Sequence, residues 1–168
     1  SYALWPHLTV YENLAFPLRV LGWKEAVIDW RVKNITSFLR IEGLEKRFPS
    51  QISGGQQQRV ALGRALIYDA RTVLLDEPLA NLDPKNREEI AIEIRDILKA
   101  AGVTVLYVTH DQREALSISD RVLLVHEGRI IQDGRPEELY LRPRHPFTAE
   151  FFGASNRIEG TFRRSTEG

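Results

Sequence analysis

The sequence predicts an α/β domain with a small helical subdomain in front of it. Up to about residue 48 the apolar side chains recur at helical spacing, whereas after Pro49 short apolar runs alternate with amphipathic stretches. Such alternation is typical of a mostly parallel sheet flanked by helices. The 168 residues, 43% of them hydrophobic, suffice for one packed core. We divide the chain into residues 1–50, 51–155 and 156–168.

The N-terminal part is predicted to form two helices. Thr9 and Glu12 fit a capping box, in which each side chain accepts a hydrogen bond from the other residue's backbone. Pro17 is expected to bend or end the helix that follows. The second helix begins near Lys24, and its apolar side chains lie on one face: Ile28, Val32, Ile35 and Leu39.

The part after Pro49 is predicted to alternate helices and strands. Asp83 and Pro84 fit a helix N-cap with proline at the first helical position. The predicted elements are a helix over 53–68, a buried parallel strand over 72–75, a helix over 84–102, a buried strand over 103–108, a helix over 112–118 and a hairpin over 121–132. Short helices punctuated by prolines follow, and a last strand begins at Asn156.

The composition excludes several kinds of partner and site. The 23 basic residues balance the 23 acidic ones, so no overall positive field would attract nucleic acid or an anionic membrane surface. The absence of cysteine excludes disulfides, and no apolar run reaches the roughly 18 to 20 residues that span a bilayer. Because the chain lacks methionine and opens without a capping or turn signal, we expect part of the protein upstream of Ser1.

Residues 53–56 (Ser-Gly-Gly-Gln) form a candidate phosphate site. Ser53, Gly54 and Gly55 open a helix, so free backbone N–H groups and the positive end of the helix dipole are available to an anion. Glycine lets the anion approach the backbone closely. For an isolated Ser-Gly-Gly, the alternative is an ordinary serine N-cap with flexible glycines.

Two carboxylates and a histidine stand at the ends of predicted strands. Asp76 and Glu77 follow the first strand, where ligand-binding groups collect in open α/β sheets, and a carboxylate there can hold Mg²⁺. A pair of solvated acids in a turn is the alternative. His110 ends the second strand, although a lone histidine is more often a surface or packing residue.

Four segments together resemble the ABC ATPase family in order and spacing. They are 52–56 (Ile-Ser-Gly-Gly-Gln), 74–78 (Leu-Leu-Asp-Glu-Pro), 82–83 (Leu-Asp) and 108–111 (Val-Thr-His-Asp), which match its signature sequence, Walker B segment, D-loop and H-loop. The resemblance implies a P-loop NTPase-like core that uses ATP and Mg²⁺. It also implies that Ser53, Gly54, Gly55 and Gln56 contact the nucleotide.

The same resemblance implies roles for four further residues. Asp76 would hold Mg²⁺, and Glu77 would act as the general base toward the attacking water. His110 would contact the γ-phosphate and that water, and Asp83 would sense the partner subunit across a dimer while it caps its helix.

A phosphate-binding loop of the form Gly-x-x-x-x-Gly-Lys-Ser/Thr does not occur in this sequence. We expect it upstream of Ser1, with the Q-loop glutamine, because residues 2–10 resemble the segment that follows that glutamine. The fragment alone is therefore expected to lack catalytic competence. The apolar side chains of residues 2–13, among them Trp5 and Leu8, are expected either to dock a short helix of a membrane subunit or to pack against the upstream part.

Two C-terminal segments resemble importers of the maltose, spermidine and ferric-iron type: 144–147 (Arg-His-Pro-Phe) and 151–156 (Phe-Phe-Gly-Ala-Ser-Asn). In those importers an accessory β-rich domain follows, so 156–168 would begin it. The resemblance implies a homodimer of ATPase subunits, bound to permease subunits at the cytoplasmic face of the inner membrane and serving a solute-binding protein indirectly. The alternative is a soluble ABC ATPase acting on DNA or ribosomes, which the lack of long coiled coils and of a basic stripe disfavours.

Overall fold

The computed structural model describes residues 4–80, 82 and 84–153, and the chain forms two compact units that divide between Glu114 and Ala115. The elements are α1 (Val10–Val20), α2 (Glu25–Phe38), a 3₁₀ turn (Pro49–Gln51), α3 (Gly54–Leu66), β1 (Thr72–Asp76), α4 (Pro84–Ala101), β2 (Thr104–Val108), α5 (Gln112–Ile118), β3 (Val122–His126), β4 (Arg129–Gly134), α6 (Pro136–Leu141) and α7 (Pro146–Phe152). The α/β expectation is confirmed. The predicted cap at Asp83 and the predicted strand from Asn156 lie outside the described residues.

Helix α1 begins at the predicted capping box. Oγ1 of Thr9 accepts a hydrogen bond from the Glu12 N–H at 3.2 Å, and Oε2 of Glu12 accepts one from the Thr9 N–H at 2.7 Å. The helix does not end at Pro17 but continues to Val20. Proline removes only one N–H from the helical ladder, so the remaining hydrogen bonds carry the helix one further turn.

The first three helices pack together through a close approach at Gly63. A Cβ placed on Gly63 would lie 2.7 Å from Cδ1 of Leu39 and 2.8 Å from Cδ2 of Leu14. Both leucine side chains are fully buried. Glycine at this position of α3 therefore permits the distance at which α1, α2 and α3 form one core.

Strands β1 and β2 pair in parallel, with Asp76 opposite Val108 at their carboxyl ends. The sequence predicted buried strands, and this is wrong for one face of the pair. Val73 is only 4% exposed, whereas Leu74 is 72% and its neighbour Leu106 is 54% exposed. Successive side chains of a strand point to opposite faces, and within the described residues no element covers the face of Leu74 and Leu106.

In its described part, the second unit contains the end of α5, a hairpin and two short helices. β3 and β4 pair antiparallel and are joined by a turn in which Gly128 has φ 73°, a left-handed conformation that glycine adopts without strain. The predicted short helices are present as α6 and α7, which begin at Pro136 and Pro146. The core contains Val122, Leu124, Leu139 and Phe152. Among the helices that the structure describes, none combines the length and apolar character of a membrane crossing.

Candidate functional site

Parallel pairing brings Glu77 and His110 together. The Glu77 N–H donates a hydrogen bond to the carbonyl oxygen of Val108 at 2.9 Å, which extends the β1–β2 pairing by one residue. Glu77 has φ 43°, in the left-handed region that non-glycine residues seldom occupy, so the chain turns sharply there. Beyond the turn, Oε1 of Glu77 lies 2.8 Å from Nδ1 of His110. Two residues 33 positions apart in the chain thus share one edge of the sheet.

The Glu77 carboxylate favours the protonated form of His110. The hydrogen bond to Glu77, and then its negative charge, raise the pKa of His110 above the ordinary histidine value. Both side chains are open to solvent, 71% for His110 and 46% for Glu77. An incoming water molecule or phosphate can therefore reach both groups.

Asp76 ends strand β1 next to Glu77, and its side chain is exposed. Within the described residues no three histidine, aspartate or glutamate side chains are close enough to hold a metal by themselves. Magnesium is commonly held by one or two protein carboxylates together with substrate phosphates and water. The exposed carboxylate of Asp76 fits that pattern of coordination.

Ser53 caps helix α3 in a capping box that the sequence did not predict as such. Oγ of Ser53 accepts a hydrogen bond from the Gln56 N–H at 3.3 Å, and Oε1 of Gln56 accepts one from the Ser53 N–H at 2.9 Å. The ordinary serine N-cap is therefore present, and the Gln56 side-chain oxygen is occupied by the hydrogen bond from the Ser53 N–H. The N–H groups of Gly54 and Gly55 lie in the first turn, where helical N–H groups have no intrahelical partner. The cap and an anion site can coexist at this helix terminus.

An open cleft of about 760 Å³ lies beside the start of α3. Its lining residues from α3 and α4 include Gly55, Arg59, Ile90 and Glu93, and Leu82 also contributes. Arg59 pairs with Glu93 and donates hydrogen bonds to the carbonyl oxygens of Leu39 and Arg40, at 3.2 and 3.3 Å. Arg59, which sequence reasoning passed over, thereby joins the cleft to the end of α2.

The cleft and the Glu77–His110 pair are separate parts of the described surface. Asp76, Glu77 and His110 do not line the cleft beside Ser53. The structure thus brings the four residues at 53–56 together at one place and the two carboxylates with His110 at another. Asp83 lies outside the described residues.

A buried carboxylate behind His110 was also missed. Glu114 is 5% exposed, and its Oε2 accepts hydrogen bonds from the hydroxyls of Tyr107 at 2.9 Å and Thr109 at 2.8 Å. Burial, and then the charge of Glu114, raise the pKa of Tyr107 well above its ordinary value. In the sequence, Glu114 is one of several charged residues near the start of α5. Only its helical spacing from the apolar Ile118, four positions later, could have indicated that its side chain points inward.

Comparison with known proteins shows what the chain is similar to. A family model described as ABC transporter matches residues 1–80. The chain is 50% identical over 159 residues to the spermidine/putrescine import ATP-binding protein PotA of Thermotoga maritima, covering 95% of this chain and 43% of that protein. It is 48% identical over 162 residues to the Fe(3+) ions import ATP-binding protein FbpC 1 of Pectobacterium atrosepticum, covering 96% and 46%.

A third relative extends the range of solutes in these names. The chain is 46% identical over 164 residues to the sulfate/thiosulfate import ATP-binding protein CysA 2 of Agrobacterium fabrum, covering 96% of this chain and 48% of that protein. The chain thus spans less than half the length of the curated relatives it matches. The resemblance seen in the motifs is confirmed: residues 1–80 match the ABC transporter family model, and relatives named as import ATP-binding proteins align with 95% to 96% of the chain.

Proposed function

We propose that the protein carrying this chain is the ATP-binding and ATP-hydrolysing subunit of an ABC importer for a small solute or ion. The observation that carries the proposal is the 2.8 Å contact between Glu77 and His110 at the carboxyl edge of two parallel strands. The relatives named as import ATP-binding proteins support the same role. Because their names concern chemically different solutes, we assign the choice of solute to other subunits.

Glu77 is the general base of the proposed reaction. Its exposed carboxylate can accept a proton from a water molecule that attacks the γ-phosphate. His110 holds that carboxylate through Nδ1, and its other ring nitrogen remains available to donate a hydrogen bond to a phosphate oxygen. The raised pKa of His110 favours the proton that such a bond requires.

Asp76 is the proposed ligand for Mg²⁺, which would neutralise charge on the phosphate oxygens when it is bound together with ATP. Ser53, Gly54 and Gly55 are proposed to contact the nucleotide of a second subunit. Their cleft is not lined by Glu77 or His110, as expected if each subunit supplies different groups to two nucleotides. Asp83 and Gln56 keep their proposed roles at the dimer interface and the nucleotide.

The proposed partners are a second copy of the ATPase subunit and membrane permease subunits, with a solute-binding protein acting through the permease. The protein would lie at the cytoplasmic face of the inner membrane as a peripheral subunit. We propose no nucleic-acid partner, since 23 basic and 23 acidic residues leave the chain without net charge. That this chain alone is not catalytically competent stays a prediction.

The test compares the full-length protein with its Glu77→Gln variant in ATP binding and Mg-ATP hydrolysis. The amide cannot accept a proton from water, so we expect turnover to fall by about 10²- to 10⁴-fold, while ATP binding stays within about twofold. Glu42→Gln, at an exposed turn, is the matched control and should leave both quantities unchanged. Near-normal turnover of the Glu77→Gln variant would remove Glu77 from this role.

A further inference from the structure

Glu114 lies at the centre of a polar cluster that also contains Arg87, Tyr107, Thr109 and Asp111. This cluster adjoins the loop between β2 and α5, residues 109–111, which is called the His110 loop below. Its carboxylate is almost fully buried and accepts hydrogen bonds from Tyr107 on β2 and Thr109 in the loop. A buried carboxylate is costly unless hydrogen bonds or opposite charges compensate it, so these contacts fix the position of the loop.

Arg87 on α4 reaches the same cluster from the other side. Its guanidinium lies 3.5 Å from Oδ2 of Asp111 and 4.0 Å from Oε1 of Glu114. Its Nη2 also donates a hydrogen bond to the carbonyl oxygen of Leu82 at 3.2 Å. One planar cation therefore contacts both Leu82, which precedes α4, and Asp111, which precedes α5.

The residues on either side of His110 belong to this cluster. The Thr109 hydroxyl accepts a hydrogen bond from the Asp111 N–H at 3.0 Å, and Oδ1 of Asp111 accepts one from the Arg113 N–H at 2.8 Å. The His110 side chain, by contrast, is exposed and contacts Glu77. The position of the imidazole relative to Glu77 therefore depends on the backbone of Thr109 and Asp111, which these hydrogen bonds hold in place.

Leu82 connects this cluster to the cleft beside Ser53. Leu82 lines that cleft, and its carbonyl oxygen is the one that Arg87 contacts. A continuous path of contacts thus runs from the cleft through Leu82 and Arg87 to Asp111 and the His110 loop. The two parts of the candidate site, which share no lining residue, are joined by this path.

We propose that Arg87 is a positioning residue that transmits occupancy of the cleft at Leu82 to the placement of His110 beside Glu77. The inference rests on the proposed function, because it assigns a role within the same ATPase site. When a second subunit and its nucleotide fill the cleft, Leu82 is held in place, and Arg87 then holds the loop that carries His110 in register with Glu77. Hydrolysis is thereby favoured when the cleft is filled.

A purely structural role for the cluster predicts different results. If Arg87 only stabilised the fold, its conservative substitution would lower stability and leave the chemistry of the folded protein unchanged. Arg87→Lys keeps the charge but replaces the planar fork by a single ammonium, which cannot contact Leu82 and Asp111 in the same geometry. Glu114→Gln keeps an oxygen for the Tyr107 and Thr109 hydroxyls but removes the charge that faces Arg87.

The experiment uses the full-length protein with Mg-ATP and measures kcat, KM, the melting temperature and the NMR titration of His110. Arg31→Lys is the matched control, because the Arg31 side chain is 24% exposed, close to the 22% of Arg87, and it pairs with Asp69 away from His110. We expect Arg87→Lys to lower kcat by about 10- to 100-fold with KM within about twofold, as for a displaced catalytic group. The pKa of His110 should fall toward its ordinary value, since the Glu77 contact loosens.

Two results would overturn the inference. One is an unchanged kcat and an unchanged His110 titration in folded Arg87→Lys, and the other is an equal loss of kcat in Arg31→Lys. Glu114→Gln is judged by the same criteria if Arg87→Lys does not fold. Failure of the proposed function would look different from failure of this inference. In that case the unsubstituted protein would hydrolyse no ATP, while the His110 titration would still show whether the contacts of Arg87 position His110.

Discussion

Nδ1 of His110 lies 2.8 Å from Oε1 of Glu77, and this contact joins the segments that follow two neighbouring parallel strands. The carboxylate raises the pKa of His110, so the charged pair is complete at pH values below the ordinary histidine pKa. It is lost as the pH rises through the raised value. Both groups are exposed, so solvent screens the pair and its main consequence concerns chemistry rather than stability.

Replacing Glu77 with glutamine should lower the pKa of His110. The amide oxygen can still accept a hydrogen bond, but the negative charge that favours the imidazolium is absent. The measurement is an NMR titration of the His110 ring protons in both proteins, with the other three histidines as internal references. An unchanged pKa of His110 would show that the contact is not formed in solution.

Substitution of Ser53 by arginine should block ATP-dependent dimerisation and leave ATP binding by the monomer unchanged. The bulky side chain would fill the space in front of the Gly54 and Gly55 N–H groups, where the phosphate of the other subunit's nucleotide is proposed to lie. Sedimentation with Mg-ATP, in a Glu77→Gln background that slows hydrolysis, measures the dimer. Ser50→Arg, at an exposed position of the preceding 3₁₀ turn, is the control that should still dimerise. A normal dimer of Ser53→Arg would contradict the assignment.

Gly63→Ala should destabilise the protein by about 1–2 kcal/mol. The added methyl group would overpack the contact with the buried side chains of Leu14 and Leu39, and this outweighs the better helix propensity of alanine. Urea unfolding measures the change. In a Leu39→Ala background the same substitution should cost less, because one of the two atoms that the methyl group would strike is absent and the space left lets Leu14 shift. An equal cost in both backgrounds would point to another cause.

A cysteine at position 7 should cross-link to a permease subunit in the assembled transporter. The structure changes the choice of probe, because the Trp5 ring packs on Phe16 with ring centroids 4.3 Å apart and lies under Arg64 at 4.0 Å. His7 is exposed in the same loop, and the chain has no native cysteine. Arg129→Cys, exposed on β4, should give no adduct. If His7→Cys also gives none, the docking surface predicted for residues 2–13 is wrong, whereas the ATPase assignment stands.

The same loop shows a buried polar contact that the sequence did not indicate. Asn13 is fully buried, and its Nδ2 lies 3.0 to 3.1 Å from the carbonyl oxygens of Trp5, Leu8 and Thr9, which share its two N–H donors. Its Oδ1 accepts one from the Trp5 N–H at 3.0 Å. Asn13 thereby fixes the loop that carries His7, and an asparagine within an amphipathic helix gives no sign of this in the sequence.

The sequence by itself determined the features that depend on neighbouring residues. The capping box of Thr9 and Glu12 appears where it was predicted, and the proline-punctuated region after Gly134 forms short helices, because caps and proline effects involve residues within about one helical turn. The order of helices and strands followed from hydrophobic period in the same way. The resemblance to ABC ATPases followed from motif spacing and was confirmed by comparison.

Only the tertiary structure decided which distant residues meet and which faces are covered. The Glu77–His110 contact spans 33 positions and the Arg87–Asp111 contact spans 24, and each depends on how strands pair and helices pack. The exposure of Leu74 was mispredicted for the same reason, since an apolar run shows that a side chain can be buried but does not show what lies against it. Local hydrogen bonds are encoded within one turn of chain, whereas packing is a property of segments that the chain brings together.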